Sequence, residues 1–225
     1  MKRKSVALDG PSGAGKSTLA KRVAKHFGLI YVDTGALYRC IGLFAFRSNV
    51  SSTDREAVTA LLPQIKLEMF YDDSGVQRML LCGEDVTDAI RMPEISKYAS
   101  DVSAMPEVRD YLLSMQRDMA AKYDVIMDGR DIGTVVLPDA GLKIFITADE
   151  NARAKRRYLE LIEKGVDTTL EEVLNAMILR DKNDSEREVA PLKAADDAII
   201  LDTSELDFDE SFAALCKLIE GKMLP

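Results

Sequence analysis

One octapeptide limits this chain more than any other feature. Gly10-Pro11-Ser12-Gly13-Ala14-Gly15-Lys16-Ser17 has the form G-x-x-x-x-G-K-[ST]. It lies between the apolar run Ser5-Val6-Ala7-Leu8 and a stretch from Lys16 to Phe27 in which Leu19, Val23 and Phe27 recur at i, i+4 and i+8. That stretch reads as a helix stopped by Gly28. The glycines let backbone N–H groups wrap phosphate oxygens, and the helix directs its positive end at the same anion. Lys16 can reach β and γ oxygens, and the Ser17 hydroxyl can hold Mg²⁺. Two fixed glycines before K-[ST] arise by chance in on the order of one such chain in a hundred. The strand before and the helix after supply the context a nucleotide-binding loop requires.

The remaining pattern alternates in the same way. Leu29-Ile30-Tyr31-Val32 reads as a second strand ending at Asp33-Thr34-Gly35, and a helix is expected from about Ala36 to Arg47. Lys66 to Tyr71, a turn at Asp72 to Gly75 and a return over Val76 to Cys82 predict a small antiparallel insert. Helices are expected at 93–104 and 106–122, with Pro93 and Pro106 in their first turns. Val125-Ile126-Met127 is an apolar run that ends at Asp128-Gly129-Arg130-Asp131. Strands at Lys143–Thr147 and Ala198–Leu201 follow, with helices at 150–163, 169–184 and 208–222. The last helix opens on a candidate Asp207-x-x-Glu210 capping box. Strands alternating with helices predict an α/β fold with a central parallel sheet flanked by helices. We expect one domain over 1–225 carrying two insertions.

Composition excludes several chemistries. The 225 residues include one histidine, His26, so a multi-histidine metal site cannot be built. Cys40, Cys82 and Cys216 show no C-x-x-C spacing, which suits a reducing cytoplasm. No apolar run approaches a membrane span, and the opening M-K-R-K-S lacks a cleavage-like pattern. The formal net charge is −8, which argues against a general nucleic-acid surface. That charge is a gradient, from +7 over residues 1–50 to −6 over residues 188–225. Neither a membrane nor nucleic acid is an expected partner.

A phosphate loop does not name a reaction. The guanine signature N-K-x-D is absent, and the one D-x-x-G, Asp72 to Gly75, falls in the hairpin turn. Asp128 ends an apolar strand as a Walker-B carboxylate would, but Gly129 follows where many ATPases carry Glu. That favours transfer to a bound acceptor over hydrolysis. Joining two polyanions needs positioned cations, and arginine binds phosphate bidentately without titrating. Candidates are Arg39, Arg109, Arg130, Arg153, Arg156, Arg157, Arg180 and Arg187. Arg130 is singled out because it follows a strand's C-terminal end, where α/β sheets bind ligands. The run Arg153-Ala154-Lys155-Arg156-Arg157 is either an exposed helix face or a lid over donor phosphates.

Together these residues resemble the bacterial cytidylate kinases, a branch of the nucleoside monophosphate kinases. The resemblance rests on Leu8 to Thr18, D-T-G-A-L-Y-R at Asp33 to Arg39 and G-E-D-V-T at Gly83 to Thr87. It extends to D-G-R-D-I-G-T-V-V-L-P at Asp128 to Pro138 and to the segment Arg180 to Leu192. It implies a P-loop kinase with a nucleotide-binding insert at about 36–100 and a helical lid at about 150–168. It implies transfer from ATP to CMP or dCMP with Mg²⁺, by a cytoplasmic monomer. The donor would meet Gly10 to Thr18, that is Gly10, Pro11, Ser12, Gly13, Ala14, Gly15, Lys16, Ser17 and Thr18, with Arg153 and Arg157. Lys16, Asp128, Arg130, Arg157 and Arg187 would serve catalysis, with Ser17 on the metal. Arg39, Arg130 and Arg187 would hold the acceptor phosphate. Ser100, Arg109 and Asp131 would read the base beside Thr34, and Arg180 and Asp184 would contact the sugar. An Asp131 carboxylate can accept from the cytosine amino group, where uracil offers a carbonyl. The alternative for Asp131 is a salt bridge that orients an arginine. A kinase for another monophosphate such as UMP, or a nucleotide-dependent binding protein, remains open. Ser17 stands where many relatives carry Gly, and Thr34 where Ser is common.

Overall fold

The computed structural model describes residues 3–163 and 165–223. Lys164, within the expected lid, lies outside the described residues, as do Met1 and Lys2 of the opening segment. In chain order the elements begin β1 (Ser5–Asp9), α1 (Lys16–Phe27), β2 (Ile30–Asp33), α2 (Thr34–Arg47) and α3 (Arg55–Leu61). Next are β3 (Leu67–Tyr71), β4 (Gln77–Leu81), β5 (Glu84–Asp85), α4 (Pro93–Ser103) and α5 (Pro106–Lys122). The chain continues with β6 (Val125–Asp128), a π turn over Ile132–Val136, β7 (Leu142–Thr147) and α6 (Glu150–Glu163). It closes with α7 (Leu170–Glu186), β8 (Ile199–Asp202) and α8 (Phe208–Met223). Among the described residues no helix is long and apolar enough to cross a membrane.

The chain divides into two compact units, Met1–Tyr31 with Ala120–Pro225, and Val32–Met119. The division falls within β2 and near the end of α5.

The first unit is organised by a sheet of order β2-β6-β1-β7-β8. β1 pairs in parallel with β6 and β7, and β7 with β8. Parallel strands covered on both faces become continuous apolar runs, and β1 and β6 are buried along almost their whole length. Leu19, Ala20 and Val23 of α1 pack against Val6, Leu8, Ile126 and Ile144. Leu215 and Ile219 of α8 join the same core. Leu8 lies opposite Asp128, and the Gly129 N–H donates to the Leu8 carbonyl at 3.1 Å. The two loops that leave β1 and β6 therefore start side by side.

In the second unit α2 and α4 pack on the sheet of order β3-β4-β5. Leu37, Cys40, Ile41, Met79, Ile95, Val102 and Leu112 are buried at its centre. The helices cross so closely that a Cβ on Gly42 would stand 2.9 Å from Tyr98 Cβ and 3.0 Å from the Ala99 nitrogen. The hairpin turn is knotted by Asp72 Oδ1, which accepts from the Ser74 N–H, the Ser74 hydroxyl and the Val76 N–H.

The elements deviate from expectation where local signals are weak. α2 starts at Thr34 rather than Ala36, because the Asp33 carboxylate caps it by accepting from the Ala36 N–H at 3.1 Å. α3 was not expected: of its seven residues only Val58 is buried, too little for a periodicity. β5 is two exposed residues, which no alternation can announce. The caps of α7 and α8 are reciprocal, Thr169 with Glu172 and Asp207 with Glu210.

Leu37→Ala should lower unfolding free energy by about 2–5 kcal/mol, because the Leu37 side chain is fully enclosed. Thr169→Ala should lower it by about 1 kcal/mol. Urea unfolding followed by circular dichroism reads both, and an equal cost for the two would contradict this assignment of core and cap.

Candidate functional site

The phosphate loop grows directly from β1. Gly10 has φ 145°, and a Cβ there would strike the Ile146 carbonyl oxygen of β7, so no other residue fits this exit. Gly15, with φ 77°, turns the chain into α1. Lys16 is buried, and its ammonium donates to the Pro11 carbonyl at 2.6 Å, folding the side chain back over the loop. Burial pushes the Lys16 ammonium well below the ordinary lysine range, and Arg130 adds repulsion against Asp128 and Asp9. A polyphosphate among these groups would reverse that shift by supplying the missing negative charge.

The Ser17 hydroxyl donates to Asp128 Oδ2 at 2.6 Å, and the Tyr31 hydroxyl to Asp128 Oδ1 at 3.2 Å. Asp128 itself is buried at the end of β6. A hydroxyl beside a carboxylate is a hard-oxygen set, the kind that takes Mg²⁺ together with water and phosphate oxygens.

Four residues later the chain is held by a carboxylate that sequence reasoning missed. Asp9, the last residue of β1, accepts from the Ile132 and Gly133 N–H groups, each at 2.8 Å. This grip holds the first two residues of the π turn over Ile132–Val136. Burial pushes the Asp9 carboxyl up from 3.8 to about 6, against the two N–H donors and with the charge of Asp131 adding to the rise.

Arg130 and Arg187 of this unit are each paired with a carboxylate. Arg130 Nε donates to Asp184 Oδ2 at 2.9 Å, and its Nη2 to the Ser12 hydroxyl at 3.0 Å. Arg187 Nε donates to the Ala190 carbonyl at 2.6 Å, and its Nη2 stands 3.3 Å from Asp131 Oδ1. Arg187 and Asp131 thus form an ion pair in which both side chains are buried. Arg180 is half-buried on α7, one turn before Asp184.

The basic run of α6 does not act as one surface. Arg153 is buried, with Nε on the Ala148 carbonyl at 2.9 Å, Nη1 on the Ser12 carbonyl at 2.8 Å and an ion pair to Asp181. Arg156 donates to the Thr203 and Leu206 carbonyls at 2.6 and 3.2 Å. Arg157 is 41% exposed and pairs with Glu160 on its own helix. Of the two arginines expected at donor phosphates, Arg157 faces solvent and Arg153 is committed to protein acceptors.

The second unit holds the other candidates. Thr34 is buried in the first turn of α2, and Arg39 Nη1 lies 4.0 Å from Asp33 Oδ1. Asp33 is also fixed through its N–H, which donates to Gln77 Oε1 at 2.8 Å. Arg109 is buried, donates to the Ser103 carbonyl at 3.0 Å and lies 5.6 Å from the Tyr38 ring centroid. Ser100 is half-buried on α4, and its carbonyl accepts from the Ser103 hydroxyl.

Sequence reasoning missed Asp9, Tyr31 and Asp181. Asp9 sits one residue before the loop and reads as a strand end. Tyr31 reads as core. Asp181 carried a usable signal, since R-D-x-x-D puts Asp181 and Asp184 on one helix face.

The cytidylate kinase family model matches residues 6–221 of this chain. A cytidylate kinase of Caldicellulosiruptor saccharolyticus is 49% identical over 97% of this chain and 96% of its own length. One of Exiguobacterium sibiricum is 45% identical over 99% of this chain and 100% of its own. Among solved structures, an uncharacterized protein from Eubacterium ventriosum superposes with TM-score 0.52 at 16% identity, over 98% of this chain and 99% of that one. That last likeness speaks to the fold alone.

The raised Asp9 carboxyl yields a test with a defined sign. The folded state binds more protons than the unfolded one between 3.8 and about 6, so this residue's contribution to stability falls as pH rises through that window. Asp9→Asn lacks the effect. Its stability cost relative to the unsubstituted protein should therefore shrink between pH 4 and pH 7, by up to about 3 kcal/mol. Urea unfolding of both proteins at the two pH values measures it. A cost that grows with pH would count against the burial of a charged Asp9.

Proposed function

This chain belongs to the cytidylate kinase family, and from that premise we propose that it transfers the γ-phosphoryl group of ATP to CMP and dCMP, giving CDP and dCDP. The observation that carries the reading is the contact between Arg130 and Ser12. The guanidinium of Arg130 reaches the donor loop at 3.0 Å while its other edge is fixed by Asp184. An arginine so held can meet an acceptor phosphate at the point where a donor's terminal phosphate leaves the loop.

In this reading the backbone N–H groups from Gly13 to Thr18 and the Lys16 ammonium hold the donor phosphates. Ser17 and Asp128 would hold Mg²⁺ between them, and the ion would neutralise donor phosphate oxygens. Arg130, Arg187 and Arg39 bind the acceptor phosphate. An oxygen of that phosphate attacks the γ-phosphorus, the bond to the β–γ bridging oxygen breaks, and ADP leaves. The acceptor is already deprotonated near neutral pH, so no general base is required, which fits a chain with one histidine. Arg157, half-exposed on α6, is the arginine with donors available to a transferring group once its exposed pair with Glu160 opens.

Base reading falls to Asp131, Arg109, Ser100 and Thr34, and sugar contact to Arg180 and Asp184. Arg109 suits recognition because its guanidinium is fixed by the Ser103 carbonyl and the Tyr38 ring. Asp131 suits it because Arg187 orients the carboxylate. A polar site tuned to an amino group rejects a carbonyl strongly, so UMP should be a poor acceptor. The proposal takes the insert at about 36–100 as the acceptor-binding part and 150–168 as the lid. It takes the enzyme as a cytoplasmic monomer acting on free nucleotides.

An acceptor panel with ATP, reading ADP release, tests this. CMP and dCMP should turn over well above UMP and AMP. Turnover of UMP or AMP with the cytidine nucleotides at background would sink the base assignment. Arg130→Ala should lower kcat by about a hundredfold or more while ATP affinity changes by less than about fivefold. Unchanged turnover in that variant would remove Arg130 from the phosphate site.

A further inference from the structure

Ser12 is held from three directions. Its N–H donates to Asp181 Oδ1 at 3.0 Å, its carbonyl accepts from Arg153 Nη1 at 2.8 Å, and its hydroxyl accepts from Arg130 Nη2 at 3.0 Å. Asp181 and Arg153 are ion-paired with each other, so carboxylate and guanidinium take the N–H and the C=O of the same residue as one neutral clamp. Asp184, one turn further along α7, holds Arg130 at 2.9 Å. A single face of α7 thus fixes both the donor loop and the arginine beside it.

The loop needs such a clamp. Gly10, Gly13 and Gly15 have φ of 145°, 71° and 77°, conformations that leave the free chain unusually many alternatives. A loop already held in its anion-wrapping shape loses less freedom when the anion arrives. We propose that Asp181 is a positioning residue for the donor nucleotide: it holds the Ser12 segment of the phosphate loop in shape and fixes Arg153, without touching the nucleotide. This rests on ATP being the donor, not on the identity of the acceptor.

The geometry separates positioning from simple charge. Removing a carboxylate near bound phosphates would, by electrostatics alone, tighten ATP binding in any neutral variant. Positioning predicts the opposite, and a difference between variants. Asp181→Ala loses the acceptor for the Ser12 N–H, whereas Asp181→Asn keeps an oxygen there.

Calorimetric titration of each protein with ATP, without acceptor, reads the outcome. Asp181→Ala should weaken ATP binding by about tenfold or more, Asp181→Asn by about threefold or less, and the KM for CMP should move less than about threefold in either. ATP binding that is unchanged or tighter in Asp181→Ala, or equally weakened in both variants, overturns the proposal. If Asp181→Ala does not fold, amide hydrogen exchange on the unsubstituted, nucleotide-free protein decides. The Ser12 N–H should be protected, and exchange at the rate of a free loop amide overturns the clamp. A protein that binds ATP but phosphorylates no CMP would sink the acceptor reading and leave this one standing.

Discussion

Lys16, Arg130, Arg153 and Arg187 would repel one another if the fold gave them no counter-charge. Each cation lies beside a carboxylate at the ends of β1 and β6 or on α7. Asp128 and Asp9 face Lys16, Asp184 holds Arg130, Asp181 holds Arg153 and Asp131 holds Arg187. Burying a charge is costly unless it is paired and hydrogen-bonded, and losing one partner costs about 3–5 kcal/mol. The carboxylates are therefore what allow several cations to stand together before a polyanion arrives. The depressed Lys16 ammonium and the raised Asp9 carboxyl mark where this balance is tightest.

The same pairing sets direction. A guanidinium has several donors in a fixed fork, so a carboxylate on one edge aims the others. Arg130 is fixed through Nε and reaches Ser12 with Nη2. Arg153 differs, since its Nε and Nη1 donate to the Ala148 and Ser12 carbonyls and to Asp181. The two arginines are distinguished by which acceptors surround them.

Much of the site was legible because it is local. Gly10 to Ser17 is contiguous, and its geometry follows from glycine backbone freedom and one helix start. Asp128 could be read from an apolar run that stops on a carboxylate, and Arg130 from its place after that run. The alternation of strands and helices was also local, and the observed elements follow it closely from β1 to α8. The exceptions carry few buried residues, as α3 does with Val58, or depend on a distant partner, as the π turn does on Asp9.

What the amino-acid order alone determined is the phosphate loop, the parallel α/β framework around it and the set of arginines suited to phosphate. Those follow from short-range rules: glycine at a sharp exit, apolar period, residue type after a strand end. Only the tertiary structure decided which charges meet. Asp9 reaches residues 132 and 133, Ser12 reaches residue 181, and Arg130 reaches residue 184. Such pairings depend on parallel strands bringing β1 and β6 side by side and on α7 returning past the loop. No local period encodes a contact across more than fifty residues of chain.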